Sequence, residues 1–140
     1  MKMEDNSPNL AAGPRLGVGA CLVGHPVRFN AVSKKRNRFL DKLGEHFSLQ
    51  AFCPEVAIGL GVPRETIRLV GELGAVQAVD GATGQRDYTD SLRAQAGEAL
   101  RAQPDLCDYV LVKDSPSCGY ARVKRYEHAR AAPVRDARSV

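Results

Sequence analysis

The sequence predicts an α/β fold: a single-domain, Rossmann-like three-layer sandwich with a mostly parallel sheet. Three observations lead there. Short apolar runs alternate with stretches of helical periodicity, and parallel strands need such crossovers between them. The run at residues 109–112 (YVLV) is continuously apolar and β-rich, as strands buried on both faces are. At 140 residues the chain is about one domain long and can bury one core without disulfides.

The elements follow in order. Residues 1–14 carry acids and prolines but no apolar stretch of a signal peptide, so they are expected to form a flexible N-terminal tail on a cytoplasmic protein. The folded domain then runs over 15–140. Residues 16–20 (LGVGA) read as a strand that ends directly before Cys21. Residues 35–47 read as a helix with Leu40, Leu43 and Phe47 on one face, Phe39 at its flank and Ser33 as the N-cap. Residues 49–52 (LQAF) form a second strand, again followed at once by a cysteine, Cys53. Pro63 suits the first position of a short helical turn. Residues 75–79 (AVQAV) form a strand closed by the turn former Asp80-Gly81. Residues 90–103 form a helix with Leu92, Ala96, Ala99 and Leu100 as its apolar stripe, stopping before Pro104. Tryptophan is absent and aromatics make up only 6% of the chain, so the core must be aliphatic. No apolar run approaches the ~20 residues that cross a bilayer, and no membrane partner is expected.

The formal net charge is +4, and the cations cluster. One group is Lys34, Lys35, Arg36 and Arg38; another runs through Arg122, Lys124, Arg125, Arg130, Arg135 and Arg138. Such patches attract phosphate backbones, but charge alone favours a solvated helix face and a basic tail.

The four cysteines are Cys21, Cys53, Cys107 and Cys118, and no two form a C-x-x-C pair. That disfavours a zinc ribbon, a thioredoxin site and a local ferredoxin motif. A lone cysteine is usually a small buried hydrophobe. In an open parallel sheet, however, the loops leaving the carboxyl ends of the strands converge on one crevice. Cys21 and Cys53 directly follow the first two strands, and Cys118 lies in the polar loop after the last. These three thiols are therefore expected at one rim, while Cys107, ahead of its strand, is expected at the other. Three thiolates without an obvious fourth ligand suggest a metal site with an open position. All-sulfur ligation favours an iron–sulfur cluster or zinc, and spacing does not decide between them.

The segments ACLVG (20–24), HPVRF (25–29), SKKRNRFL (33–40), CPEVAIGLGVPRETIRLV (53–70) and KDSPSCGYARVKRY (113–126) resemble the thiouracil and thiouridine desulfurases, a family that long carried only a domain-of-unknown-function label. The resemblance covers about residues 15–126. It implies that Cys21, Cys53 and Cys118 hold a 4Fe–4S cluster whose fourth iron has no protein ligand. It also implies that Glu55 and Ser115 are the catalytic residues of a non-redox desulfuration in which water-derived oxygen replaces sulfur; Ser117 is a fallback for Ser115. The expected partner is a thiolated nucleobase or nucleoside, free or within RNA. VPRETIRLV and YARVKRYEH resemble most closely the N-terminal domain of two-domain members, which are associated with thiouridine in RNA. Arg64 and Arg68 would there meet a phosphate or base edge, or else pair with Glu65 and Glu72. Two departures stand out. Asn30-Ala31-Val32 replaces a Gly-Gly pair typical of the family, and the chain stops at Val140, about where relatives continue into a glycine-containing final segment. Either the protein is naturally short or the sequence is a fragment, and loss of a last strand would leave the fold less stable or an edge exposed. The competing readings are a noncatalytic RNA-binding module with structural cysteines and a zinc-dependent hydrolase.

Overall fold

A computed structural model describes residues 13–25 and 38–140. The expected tail, the Ser33 cap, the first turn of the 35–47 helix and the Asn30-Ala31-Val32 loop lie outside, or almost wholly outside, the described residues.

The first sheet is the expected parallel one. β1 (Arg15–Gly19) sits between β2 (Ser48–Phe52) and, at the far edge, a strand at Leu106–Val110, in the order second, first, last. Both pairings are parallel, with Gly19 opposite Phe52 and Val18 opposite Val110. The three strands therefore end level with one another.

A second sheet corrects the single-sheet expectation. It is a four-stranded mixed sheet built from β3 (Ile67–Val70), β4 (Gln77–Asp80), and two strands near the C-terminus, Val123–Tyr126 and Val134–Ala137. Taking the edge strand of the first sheet (Leu106–Val110) as β5, these last two are β6 and β7, and the order is β4-β3-β6-β7. β3 runs antiparallel to β4 and parallel to β6, and β6 antiparallel to β7. The expected 75–79 strand thus forms, shifted to Gln77–Asp80, but it belongs to this mixed sheet.

The helices are α1 (Arg38–Leu43), α2 (Pro54–Ala57) and α3 (Thr89–Ala102). Helix α1 stops earlier than residue 47 because Gly44 follows it; Leu40 is buried, while Phe39 stays 63% exposed. No helical turn follows Pro63, where the chain instead leads into β3. In α3 only Leu92 of the expected stripe is buried, and Leu100 is 63% exposed. The helix packs its first half on the second sheet, where Leu92 joins Ile67, Leu69, Ala78, Val123 and Ala137 in one apolar cluster.

The edge strand also begins earlier than 109–112. β5 ends at Val110, because its ladder with β1 runs only as far as the Val18–Val110 pair. Cys107 accordingly lies inside β5 rather than ahead of it; it is exposed, and its thiol donates to the Arg15 carbonyl at 2.9 Å.

Leu69 has no exposed surface, and deleting its side-chain carbons would leave a cavity between β3 and α3. Leu69→Ala is expected to cost about 3 kcal/mol, read as a lower denaturation midpoint with an unchanged slope.

Candidate active site

Each cysteine expected at the rim arrives there by a separate local device. Cys21 lies in a 3-10 turn (Ala20–Val23) that directly follows β1, and Gly24, at φ +90°, closes that turn. Cys53 follows β2 and takes the extended N-cap position of α2, with Pro54 at the first helical position. Cys118 comes from the loop after β5, whose neck is tied by the Val112 amide donating to the Cys118 carbonyl at 2.8 Å. A Cβ on Gly119 would lie 2.6 Å from the Ser115 carbonyl oxygen and 2.7 Å from a Val123 methyl, so only glycine permits this close passage.

The three thiols border one cavity of about 300 Å³, together with Glu55, Arg64, Lys113, Ser115 and Ser117. No disulfide links any of the four cysteines. Among the described residues, no three His, Cys, Asp or Glu side chains are placed to hold a single metal ion.

Glu55 is set by the first turn of α2 and is only 9% exposed. Arg64 Nε donates to its Oε2 at 2.7 Å, and Ser117 Oγ donates to its Oε1 at 3.0 Å. Arg64 is braced in turn by the Gly61 carbonyl at 2.9 Å. Its partner is thus Glu55 and not Glu65, while Arg68 lies over the Tyr126 ring, 4.9 Å from its centroid. No local pattern announces the Arg64–Glu55 pair; the one clue is that both lie in the same motif, nine residues apart.

Ser115 and Ser117 play different parts. Ser115 Oγ accepts the Cys118 amide at 3.1 Å and the Cys118 thiol at 3.1 Å, and lies 3.3 Å from Ser117 Oγ. Ser117, not Ser115, touches the carboxylate. The result is a continuous line from Cys118 Sγ through Ser115 Oγ and Ser117 Oγ to Glu55 Oε1. Ser139, just past β7, clamps the loop from outside. Its hydroxyl donates to the Ser115 carbonyl and accepts the Gly119 amide, both at 2.6 Å. Sequence reasoning missed this residue, because nothing in the local pattern marks a serine twenty residues downstream as part of the loop.

Three of the six cations of the expected C-terminal basic patch are engaged within the fold. Arg125 is buried and makes a two-pronged bond to Asp136 at 2.9 and 2.9 Å; Arg135 pairs with Asp114, and Arg138 lies over Tyr120. In the other cluster, Lys34, Lys35 and Arg36 lie outside the described residues.

Burial, first of all, pushes the Cys118 thiol up to about 11. The nearby Cys21, Cys53 and Glu55 charges add to the rise, and the Ser115 hydroxyl, which can turn to donate to the thiolate, opposes it. Tyr109 reports the same convergence: burial and then the charges of Cys118, Cys53 and Cys21 raise its phenol above the usual range. Its hydroxyl oxygen is closed off and has no hydrogen-bond partner among the described residues. Three converging thiols and a buried donor without an acceptor are what a bound sulfur-rich cluster would complete, so the residues present fit such a group.

Fold and site together define an α/β protein that presents three thiols, a carboxylate and two serines to one cavity. The sequence profile of the 2-thiouracil desulfurase family matches residues 16–138, and the chain belongs to that family. A solved structure described as the 4Fe-4S-dependent thiouracil desulfidase TudS is similar at 32% identity, with a TM-score of 0.70, over 90% of this chain and 80% of that one. No protein with a curated description matches.

The raised Cys118 value fixes a sign. Thiolate is the reactive form, so alkylation of Cys118 in metal-free protein should be on the order of a hundredfold slower than that of an exposed thiol at pH 8. It should accelerate as pH rises toward 11, and Ser115→Ala should slow it further. Site-resolved mass spectrometry of iodoacetamide adducts measures this; a Cys118 rate matching exposed Cys107 would contradict it.

Proposed function

We propose that this protein removes sulfur from a thiolated uracil, as thiouracil or 4-thiouridine, using a 4Fe–4S cluster held by Cys21, Cys53 and Cys118. The observation that carries the reading is the shared cavity. Three thiols from three strand ends border it, and a buried carboxylate on the same wall is held at both oxygens. The cluster, when bound, supplies a soft Lewis-acidic iron for the thiocarbonyl sulfur. The overall change is C=S plus water to C=O plus hydrogen sulfide, and no electrons are transferred.

The chain's own residues supply the proton chemistry and the shape. Glu55 is the general base toward the incoming water, with Arg64 and Ser117 holding the carboxylate plane fixed. That fixed geometry lets a proton move to one defined oxygen without side-chain reorganisation. Ser115, 3.3 Å from Ser117 Oγ, is placed to pass a proton along the line toward the sulfur side of the cavity. Ser115 also accepts the Cys118 amide and, turned toward the thiolate, donates to the Cys118 sulfur, and so orients that ligand. Arg64 and Lys113 are the cations of the lining and offset the negative charge that thiolates and carboxylate bring together. A cytoplasmic location, where thiols stay reduced, belongs to the same reading.

Protein prepared without oxygen should contain iron and sulfide in near-equal amounts and release sulfide from 2-thiouracil or 4-thiouridine. Cys53→Ala should lose both the colour and the activity. Glu55→Gln should keep the cluster and lose turnover by ~100-fold or more. A colourless Cys53→Ala protein with full activity would end the cluster reading, and normal turnover in Glu55→Gln would remove the carboxylate from the mechanism.

A further inference from the structure

Tyr109 belongs to no step of the proposed chemistry, yet the fold goes to some length to seat it. It lies on β5 directly across from Gly17 on β1. Its ring fills the space that a side chain at Gly17 would need: a Cβ there would sit 2.2 Å from Tyr109 Cδ2 and 2.6 Å from Cε2. The ring therefore lies flat across the neighbouring strand, and the absence of a side chain at position 17 fixes its direction.

That direction leads to the thiols. Tyr109 borders a second cavity, of about 220 Å³, which Cys118 and Ser117 also line. Cys118 and Ser117 line the first cavity as well, so the two cavities share the wall that these residues form. Burial, and then the nearness of Cys118, Cys53 and Cys21 when ionised, hold the phenol above its usual range. Its oxygen is nevertheless closed to solvent and has no hydrogen-bond partner among the described residues. Leaving a buried hydroxyl unpaired forfeits its hydrogen bond to water, so such a group needs an account. An acceptor brought by whatever the three thiols bind provides one.

We propose that the Tyr109 hydroxyl donates a hydrogen bond to the sulfur of the centre held by Cys21, Cys53 and Cys118, and so is a positioning residue that sets that centre's electron density. The inference rests on the cluster reading above and extends it to a residue outside the thiol, carboxylate and serine set. A donor to cluster sulfur stabilises the more reduced, more negative state and raises the reduction potential. It also withdraws density from iron, which strengthens the centre as a Lewis acid toward a thiocarbonyl.

The test compares wild type, Tyr109→Phe and Gly17→Ala, each loaded with iron and sulfide without oxygen. The midpoint potential is followed by electron paramagnetic resonance, and the Fe–S stretching bands by resonance Raman in water and deuterated water. Tyr109→Phe should load fully, shift to lower potential and lose part of the deuterium sensitivity. Gly17→Ala, which displaces the ring and keeps the phenol, should shift in the same direction. If Tyr109→Phe fails to load, 3-fluorotyrosine at position 109 decides: a stronger donor on an intact ring should raise the potential. Unchanged potential and unchanged bands in every variant that loads would overturn the inference while leaving the desulfurase reading intact. A wild type that takes up no cluster would overturn both.

Discussion

Parallel pairing of β1 with β2 on one side and β5 on the other brings three carboxyl ends to one rim, and the site hangs from that rim. A parallel ladder makes this possible because every strand leaves the sheet on the same side, so turns far apart in sequence become neighbours in space. Cys21 follows β1 directly, Cys53 follows β2 directly, and Cys118 returns to the rim through a loop tied to Val112. Neither Cys21 nor Cys53 has room to slip. A shift of one residue in β1 or β2 would turn its cysteine to the other face of the sheet or carry it past the rim.

The second sheet acts on the site from behind. β6 and β7 carry Val123, which packs against Gly119, and the residues that lead to Ser139, whose hydroxyl bonds to both ends of the Ser115–Gly119 turn. Arg125 and Asp136 join β6 to β7, and Arg125 NH1 donates to the Gly71 carbonyl beyond β3, so the clamp is anchored in a packed body. The Cys118 loop is thus held on one side by the first sheet and on the other by the second. This double hold suits a ligand whose thiol must meet two others, and a serine line that must keep its spacing.

The parts of this design that were legible in the sequence are those with short-range signatures. Cysteines placed directly after apolar runs announced the rim, and Cys-Pro-Glu placed a carboxylate beside a ligand. Four-residue elements were harder to see. β3 and β6 each show a buried-exposed alternation too brief for a period to stand out, and β6 buries an arginine, so VKRY reads as part of a basic patch. Helix α2 is a single turn. The Arg64–Glu55 pair was hidden because Glu65 stood next door as the more obvious partner. The extent of β5 was misjudged for a different reason: hydrophobicity marks 109–112, but pairing with β1 decides where the strand ends.

Gathering of the three thiols about one multi-iron centre, with one iron left to the substrate, is the claim on which the account turns. Mössbauer spectroscopy of protein loaded with iron-57, before and after 2-thiouracil, addresses it most directly. The account predicts four irons per chain, of which one changes its isomer shift and quadrupole splitting when the thiocarbonyl compound is added while three stay as they were. A mononuclear iron signal, or four irons indifferent to the ligand, would contradict it.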